Sequence, residues 1–556
     1  MPVLQFKGKS VVENYHHTVP HHILEFDQGL SCLDKGAKPS LDGNLIIEGD
    51  NLLALKALLP THAGRIKCIY IDPPYNTGNE GWVYNDNLTQ PQFKEWIGQT
   101  VGKEGEDATR HDKWCCMMYP RLQLLKELLR DDGAVFISLD DNEISHLRMM
   151  MDEVFGESNF VATIIWQKIY SPKSSAEFFS ENHDYIVLYA KQRDEWRRKL
   201  LPRTKEQDER YSNPDNDPRG PWKPSGLDAR NPYSKGRYPI TCPSGRVIPG
   251  PPAGAYWRYS QQKLKELDQD HRIWWGADGN NVPAIKRFLS EVKQGIVPQT
   301  IWRYEEVGHT QDAKKEYVEI LNAEEVFTTP KPVGLIKRIV QLSTESDDLV
   351  LDSFAGSGTT GHAVLQMNEQ DGGDRRFVLV QIPYDTKENE KNKLNICQRI
   401  TAERVKRVIQ GYSRVTPKGE QKNVVGLKGA FSYSRLGASL FGEYRDMGPK
   451  PPVFAELAKY IFYTETSKEF DAHVINEKTG KIGEQKGTSY YLLYKRGENG
   501  GRPLDLEWLK SIEKTEKNRQ LVVYCEKLWV HREDLTKYEA ETGRKVRSMI
   551  IPFNLK

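Results

Sequence analysis

Four consecutive residues, Asp72, Pro73, Pro74 and Tyr75, have the chemistry to hold a planar amino group. They follow an apolar run that is typical of a buried β-strand. Two successive prolines remove two backbone donors and fix φ, so the strand must end there. A carboxylate, carbonyl acceptors without competing N–H groups, and an aromatic ring then stand at a strand's carboxyl end, where ligands of open α/β sheets bind.

This set of groups suits methylation of an exocyclic amine. The lone pair of such an amine is delocalised into the ring, which makes the nitrogen a poor nucleophile. The Asp72 carboxylate and the Pro73 carbonyl could accept its two hydrogens and localise the lone pair toward a methyl donor. Tyr75 could stack on the base. The tetrapeptide alone leaves open a simpler interpretation, a Pro-Pro turn in which Asp72 caps nearby backbone.

A second pattern, beginning at Asp352, predicts a strand, a glycine turn and a helix. Gly356 and Gly358 allow a ligand to approach backbone N–H groups at the start of the helix. No lysine follows Gly358, which excludes a phosphate-binding P-loop, and His362 stands where the dinucleotide fingerprint has its third glycine. A cationic, methionine-bearing cofactor suits Asp352 and Phe354 better than a pyrophosphate does.

The elements that must position these residues alternate between β-branched runs and amphipathic stretches. This pattern predicts an α/β fold, a Rossmann-like twisted and mostly parallel sheet with helices on both faces. The expected strands are 44–48, 67–71, 134–139, 349–352 and 377–381. The expected helices include 51–59, 114–129, 142–155, 333–342 and 359–367.

The regular pattern stops between residues 169 and 325. The stretch from 219 to 260 contains seven basic residues and only one acidic residue, Asp228. They are Arg219, Lys223, Arg230, Lys235, Arg237, Arg246 and Arg258, and six aromatic residues, Trp222, Tyr233, Tyr238, Tyr256, Trp257 and Tyr259, are interleaved with them. Such a stretch suits phosphate neutralisation and base contact, although a proline-rich surface loop is the alternative. Segment 79–111, with Trp82 and Tyr84, is either a loop that closes over the site or a static excursion.

Together these motifs resemble the beta class of DNA amino-methyltransferases, above all the modification subunits of type III restriction systems. Residues 72–75 match the class's catalytic motif. The cofactor motif is matched by Phe354, Gly356, Gly358 and Thr359, and the Lys-Pro motif before a helix by Lys331 and Pro332. The class places the catalytic motif first, a target-recognition insert next and the cofactor motif last, which is the order found here.

The resemblance implies S-adenosylmethionine as cofactor and double-stranded DNA as substrate, with the target base flipped out of the duplex. The implied cofactor contacts are Asp352, Phe354, Ala355, Gly356, Ser357, Gly358, Thr359, Lys331 and Pro332, with Asp50, Asn51 and Gln381 as further candidates. Gln381 departs from the family, which commonly has a carboxylate there. The implied domains are a catalytic domain in two parts, 1–168 and 326–424, a recognition insert, 169–325, and a small C-terminal α+β domain, 425–556.

An aspartate before Pro-Pro-Tyr is usually associated in this class with the N6 amine of adenine, so adenine is expected. Cytosine N4, an RNA substrate, and a role mainly as the DNA-recognition subunit of a defence complex remain alternatives. The resemblance also implies a homodimer and a separate restriction or defence subunit as candidate partners.

Composition narrows the remaining classes. The chain has 556 residues, 38% of them hydrophobic and 28% charged, and a net charge of +2, so any basic surface must be local. No run approaches 18 apolar residues, and the N-terminus lacks an apolar signal core. Seven scattered cysteines favour a reduced, cytoplasmic protein. The resemblance to restriction-system subunits implies that it is prokaryotic. His16, His17, His21 and His22 lack the further ligands of a familiar site, so no metal is expected.

Overall fold

The fold is known from a computed structural model. It describes residues 4–77, 107–292, 295–322, 327, 329–415, 420–441, 451–495 and 502–551. The described chain divides into two compact units, one formed by residues 1–199 and 299–556 and the other by residues 200–298.

Five parallel strands form the centre of the first unit's main sheet. In spatial order they are Leu45–Glu48, Arg376–Gln381, Leu349–Asp352, Ile66–Ile71 and Leu129–Leu139. Every residue of Ile66–Ile71 and Leu349–Asp352 is buried, so both faces of the sheet are covered there. Because the strands are parallel, their carboxyl ends lie at one edge, and this edge carries the two predicted motifs.

The main sheet extends to ten strands and is mixed at its flanks. Beyond Leu129–Leu139 follow His183–Ala190, Phe160–Gln167 and Ile301–Trp302; beyond Leu45–Glu48 follow Ser432–Ser439 and His22–Phe26. The predicted α/β class with a mainly parallel sheet is confirmed. The expectation that regular structure stops between 169 and 325 is wrong at two elements, the helix Thr310–Leu321 and the mostly buried strand His183–Ala190, which is antiparallel to Leu129–Leu139. Burial on both faces leaves such a strand no alternating pattern to detect.

Helices connect the strands. Those of at least eight residues in this unit are Asn51–His62, Asp107–Leu128, Ile144–Met151, Thr310–Leu321, Val333–Ser343, Thr359–Asp371, Glu403–Gln410, Phe454–Thr466 and Arg532–Thr542, and the shorter ones are Lys9–Val12, Tyr15–Thr18, Tyr304–Val307, Lys387–Lys391 and Leu506–Ile512. Val333–Ser343 shows why they form, since Val333, Ile336 and Val340 recur at helical spacing and are buried. All five predicted helices are present with shifted ends.

The second unit, residues 200–298, has short strands and a small core. Its strands are Trp222–Gly226, Asp228–Ala229, Ile240–Thr241, Val247–Ile248, Tyr256–Trp257, Ile273–Trp274 and Ala284–Phe288, and its helices are Lys205–Asp208 and Gln261–Gln269. Leu227, Ile240, Trp257 and Ile285 belong to the core. The buried Lys286 ammonium pairs with Asp215 and, at 2.9 Å, with Asp217.

Toward the C-terminus the first unit contains a second, four-stranded sheet. Its order is Lys481–Gln485, Thr488–Leu493, Gln520–Cys525 and Lys545–Ile550. Gly411–Val415 pairs with Gln421–Val425, and Pro503–Leu504 pairs with Lys527–Leu528. Strand Ser432–Ser439 belongs to the main sheet instead, and the domain bounds given above stay predictions. In the part of the chain that the structure describes, no helix is long and apolar enough to cross a membrane.

Candidate active site

Asp72 follows the buried strand Ile66–Ile71 directly, and its two carboxylate oxygens have different surroundings. Oδ2 accepts a hydrogen bond from Lys331 Nζ at 2.5 Å. Oδ1 is buried and has no hydrogen-bond partner among the described residues, although 23% of the side chain is exposed. Burial raises the pKa of the Asp72 carboxyl, and the Lys331 charge opposes that rise. Asp72 therefore presents one acceptor that lacks a donor.

Tyr75 is held by its hydroxyl. This group donates to Asp184 Oδ2 at 3.2 Å, and Lys168 Nζ donates to the other Asp184 oxygen at 2.6 Å. Lys331 Nζ lies 5.0 Å from the centre of the Tyr75 ring. Burial, and then the Asp72 charge, raises the pKa of Tyr75 well above its usual range. The hydroxyl thus stays protonated and donates the hydrogen bond that fixes the ring.

The chain after the prolines is fixed by a buried network that sequence patterns did not indicate. Trp114 Nε1 donates to the Pro74 carbonyl at 2.7 Å. Asn76 adopts a left-handed backbone conformation, with φ 60°, and its side-chain amide donates to the fully buried Glu143. His111 Nδ1 and His146 Nδ1 donate to Glu143 at 2.7 and 2.8 Å. The carboxylate of Glu143 therefore joins two helices to the segment that follows the tetrapeptide.

The same network contains the one group of described residues with the composition of a metal site. The ligand atoms of His111, Glu143 and His146 lie within 4.8 Å of one another. Hydrogen bonds from both imidazoles and from Asn76 to the carboxylate account for this geometry. The cluster therefore fixes the position of Asn76 through hydrogen bonds to Glu143, and these bonds account for its spacing without an ion.

The predicted glycine turn forms between Leu349–Asp352 and helix Thr359–Asp371. Gly358 precedes the helix with φ 77°, and a Cβ there would lie 2.8 Å from the Thr401 carbonyl oxygen. The Gly356 N–H donates to Gln381 Oε1 at 2.7 Å. Ala355 N donates to the Val380 carbonyl at 3.1 Å. Gln381, a candidate cofactor contact from sequence, thus holds the turn in place through its amide oxygen.

Asp352 ends its strand inside the turn. Its carboxylate accepts hydrogen bonds from Phe354 N at 3.0 Å and from Thr360 Oγ1 at 2.5 Å. Burial raises the pKa of Asp352 to about 7, in spite of those two donors, and the neighbouring Asp72 charge adds to the rise. The charged form of this carboxylate would gain from a cation bound nearby.

Asp50 and Asn51 fix the adjoining strand end. Asp50 caps helix Asn51–His62 by accepting from Leu52 N, and it pairs with the buried Arg121 at 3.2 Å. Asn51 donates to the Ser353 carbonyl at 2.8 Å. The Ser353 hydroxyl is buried without a hydrogen-bond partner among the described residues. Asn51 thus lies beside the glycine turn, and the turn retains a polar group for a ligand.

Lys331 and Pro332 join the two motifs. Pro332 is buried and precedes helix Val333–Ser343. The Lys331 carbonyl accepts from Thr359 Oγ1 at 3.2 Å, while its ammonium reaches Asp72. Arg404, fully buried, donates to Ser357 Oγ at 3.0 Å and to Thr359 Oγ1 at 2.8 Å. Burial lowers the pKa of Arg404. The catalytic and cofactor motifs are therefore mechanically connected through Lys331.

The predicted DNA-binding residues lie in the second unit, and six of the seven are exposed. These are Lys223, Arg230, Lys235, Arg237, Arg246 and Arg258. Arg219 instead forms a bidentate pair with Asp217, at 2.9 Å for both contacts, and lies over the Phe288 ring. Trp222 and Trp257 are buried, so the interpretation of these two rings as base contacts is wrong: their indoles pack inside the unit.

One expectation has no structural counterpart here. Most of segment 79–111, including Trp82 and Tyr84, lies outside the described residues. His111 is described, and it belongs to the Glu143 network.

Comparisons with known proteins identify the family and the relatives of this chain. A family model described as DNA methylase matches residues 66–395. The type III restriction-modification enzyme StyLTI Mod subunit of Salmonella typhimurium is 36% identical over 379 residues, 66% of this chain and 57% of that protein's length. The EcoPI Mod subunit of Escherichia phage P1 is 33% identical over 466 residues, 76% of this chain and 70% of the relative. Among solved structures, the PvuII DNA methyltransferase (cytosine-N4-specific) has a TM-score of 0.33 at 14% identity, covering 67% of this chain and 94% of that one.

Proposed function

Because this chain belongs to the DNA methylase family whose model covers residues 66–395, we propose that it methylates the N6 amine of adenine in double-stranded DNA. Family membership confirms the sequence-based prediction of a DNA methyltransferase, for which S-adenosylmethionine is the expected cofactor. The adenine target, the roles of individual residues and the biological partners belong to the proposal.

The observation that carries the proposal is the buried Asp72 Oδ1, which accepts no hydrogen bond from any residue that the structure describes. An orphaned buried acceptor costs free energy unless a ligand supplies a donor. An exocyclic amine has two N–H donors, so one can bond Asp72 Oδ1 and the other the Pro73 carbonyl. Burial raises the pKa of the Asp72 carboxyl, and the Lys331 charge opposes that rise and so favours the ionised form, which accepts hydrogen bonds.

The residues around the turn fit S-adenosylmethionine. Asp352 and Ser353 would hold its polar and charged groups: the Asp352 carboxylate would lie near the positive charge, and the Ser353 hydroxyl has no hydrogen-bond partner among the described residues. The cofactor supplies an electrophilic methyl group on a sulfonium. The chain's own residues orient the amine: Asp72 and the Pro73 carbonyl draw its hydrogens to one side, which turns the nitrogen lone pair to the other. Tyr75, fixed by Asp184, offers a ring on which the flipped base can stack.

Asp72 favours adenine over cytosine, because in the beta class an aspartate before Pro-Pro-Tyr is usually associated with the N6 amine of adenine. A carboxylate accepts from either amine, so the geometry permits cytosine N4 as the second candidate. The exposed basic residues of the 200–298 unit favour a polyanionic substrate for either base.

Two relatives are named as Mod subunits of type III restriction-modification enzymes, which supports a role in such a system. The matched region spans 57% of the first relative's length and 70% of the second's. We infer a cytoplasmic prokaryotic modification subunit that acts with a separate restriction subunit, and the C-terminal region 425–556 is the candidate docking surface for it. Co-purification that is lost when 425–556 is deleted would support this partner.

Long-read sequencing that detects modified bases tests the activity directly. DNA from cells expressing the chain should carry N6-methyladenine at one recognition sequence. Asp72→Ala should abolish the mark because it removes the acceptor, while binding of S-adenosylmethionine persists in calorimetry. Asp347→Ala is the matched control, since Asp347 is exposed just before strand Leu349–Asp352, at the opposite end from the site.

The outcomes separate the candidates. N4-methylcytosine in place of N6-methyladenine would transfer the assignment to the second base. Unchanged marking by the Asp72→Ala chain would refute the catalytic role of the tetrapeptide.

A further inference from the structure

Two adjacent phenylalanines, Phe178 and Phe179, extend almost completely into solvent. Their exposed fractions are 84% and 89%, the highest among the exposed large aromatic residues that the structure describes. Both lie in the loop that joins strand Phe160–Gln167 to strand His183–Ala190. Apolar rings are favourably removed from water, so a paired exposure of this kind is typical of a contact surface for a partner.

The loop that carries them has a defined backbone. At its neck, the N–H groups of Lys168 and Ile169 both donate to the Asn182 carbonyl, at 2.9 and 3.2 Å. Farther out, Lys173 N donates to Ser180 Oγ at 2.8 Å, and the Ser180 hydroxyl donates to Asn182 Oδ1 at 2.5 Å. These bonds close the loop below its tip and fix where the two rings are presented.

The loop belongs to the catalytic edge of the sheet. His183–Ala190 is antiparallel to Leu129–Leu139, and Phe160–Gln167 is antiparallel to His183–Ala190. The carboxyl end of one strand and the amino end of the other therefore meet at the edge where Asp72 lies. Asp184, two residues after the neck, holds the Tyr75 hydroxyl at 3.2 Å and Lys168 at 2.6 Å. The Asp184 carboxylate thus fixes both the Tyr75 ring and the neck of the loop.

Resting on the DNA methylation proposed above, we propose that Phe178 and Phe179 form an aromatic wedge that enters the duplex and fills the space left by the flipped base. Enzymes that act on a base inside a duplex must take it out of the stack at a cost in unstacking. Apolar side chains inserted at a base step offset part of that cost by stacking. Asp184 thereby links the loop that stabilises the open duplex to Tyr75, the ring on which the flipped base stacks.

Charge at the tip favours base contact over phosphate contact. Glu177 and Glu181 flank the two rings, and Lys173 is the one basic residue between the neck residues Ile169 and Asn182. An acidic tip gains nothing from the phosphate backbone, so its contribution to binding should depend little on salt. An anionic membrane surface or an acidic protein would likewise be repelled by the two glutamates. Stacking of an aromatic ring on a DNA base does not depend on the charge of the neighbouring residues.

The test compares two duplexes that carry the chain's own recognition sequence. In one the target adenine is paired; in the other it faces an abasic site, so that flipping costs less. The double variant Phe178→Ala/Phe179→Ala should methylate the paired duplex at least tenfold more slowly than wild type and recover most of that loss on the abasic duplex. The salt dependence of DNA binding and the Kd for S-adenosylmethionine should stay unchanged. Trp529→Ala, which removes an aromatic ring that is 62% exposed elsewhere in the chain, is the matched control and should behave as wild type on both duplexes.

A second readout follows flipping itself. Fluorescence of 2-aminopurine placed at the target position should rise on binding of wild type and rise much less with the double variant. Equal slowing on both duplexes, or no slowing on either, would overturn the wedge while wild-type methylation still upheld the proposed function. A wild-type chain that methylates neither duplex would overturn the proposed function, and the wedge with it.

Discussion

At the scale of single residues, two aspartates at the ends of neighbouring strands have related electrostatics. Asp72 and Asp352 are both raised in pKa, mainly by burial, and the Asp72 charge contributes to the rise at Asp352. Lys331 is the positive group that opposes both shifts. A cationic ligand near this pair would stabilise the ionised carboxylates, so cofactor binding and carboxylate ionisation must be coupled.

This coupling predicts that the affinity for S-adenosylmethionine rises with pH across the pKa of Asp352, which is about 7. About a tenth of a group with that pKa is ionised one pH unit below it and about nine tenths one unit above, so Kd should fall roughly tenfold between pH 6 and pH 8. S-adenosylhomocysteine, whose sulfur is uncharged, should show a much weaker dependence. Isothermal titration at the two pH values measures both ligands.

The same shift has a consequence for stability. The folded-state pKa of Asp352 exceeds the ordinary value of 3.8 for an aspartate, so its contribution to stability is fully present below pH 4 and is lost as pH rises toward 7. Asp352→Asn should remove this loss and flatten the pH profile of cofactor affinity. If that variant kept the full pH dependence, another group would have to be its source.

At the scale of elements, the sequence predicted the strand ends well and the long-range side-chain contacts that fix them poorly. The central strands were detectable because buried parallel strands are short apolar runs, and the prolines after Asp72 and the glycines after Asp352 mark where they end. Glu143 and Asp184 were missed, although each fixes a residue of the catalytic segment. Their partners are 67 and 109 residues away along the chain, and no local pattern encodes contacts of that range.

Two glycines at opposite ends of helix Thr359–Asp371 give a prediction with an internal control. Gly358 and Gly372 have φ 77° and 70°, so alanine at either position costs on the order of 1–2 kcal/mol of backbone strain. A Cβ at Gly358 would also lie 2.8 Å from the Thr401 carbonyl oxygen, whereas at Gly372 it meets nothing within 4 Å. Gly358→Ala should therefore raise the Kd for S-adenosylmethionine more than tenfold, whereas Gly372→Ala should leave it unchanged. Calorimetry measures the Kd, and thermal unfolding measures the stability of both variants.

The strain common to both variants makes the comparison informative. If Gly372→Ala weakened cofactor binding as strongly as Gly358→Ala, general destabilisation of the helix would explain the loss. The geometry of the turn would then not be the cause.

At the scale of the whole molecule, the two compact units differ in what they offer. The unit formed by 1–199 and 299–556 contains the tetrapeptide, the glycine turn and the loop that carries Phe178 and Phe179. Unit 200–298 presents six exposed basic residues. The alternation of basic and aromatic residues in that stretch partly reflects ordinary folding, because Trp222 and Trp257 are core and their charged neighbours are surface. The role of the six exposed basic residues in DNA binding stays a prediction, and their exposure leaves them accessible to a polyanion.

The exposed cations of unit 200–298 should contribute additively to DNA affinity through counterion release. Replacing Lys223, Arg230 and Lys235 by glutamine removes three exposed charges, and each lost phosphate contact lowers the slope of log affinity against log salt by about 0.9. The triple variant should thus bind DNA more weakly at low salt, with a slope reduced by about 2 to 3, while its Kd for S-adenosylmethionine is unchanged. Lys263→Gln is the control within the same unit, because Lys263 is exposed but pairs with Glu266 on its own helix. An unchanged slope in the triple variant would mean that the phosphates are bound by other residues, and that these side chains serve solubility alone.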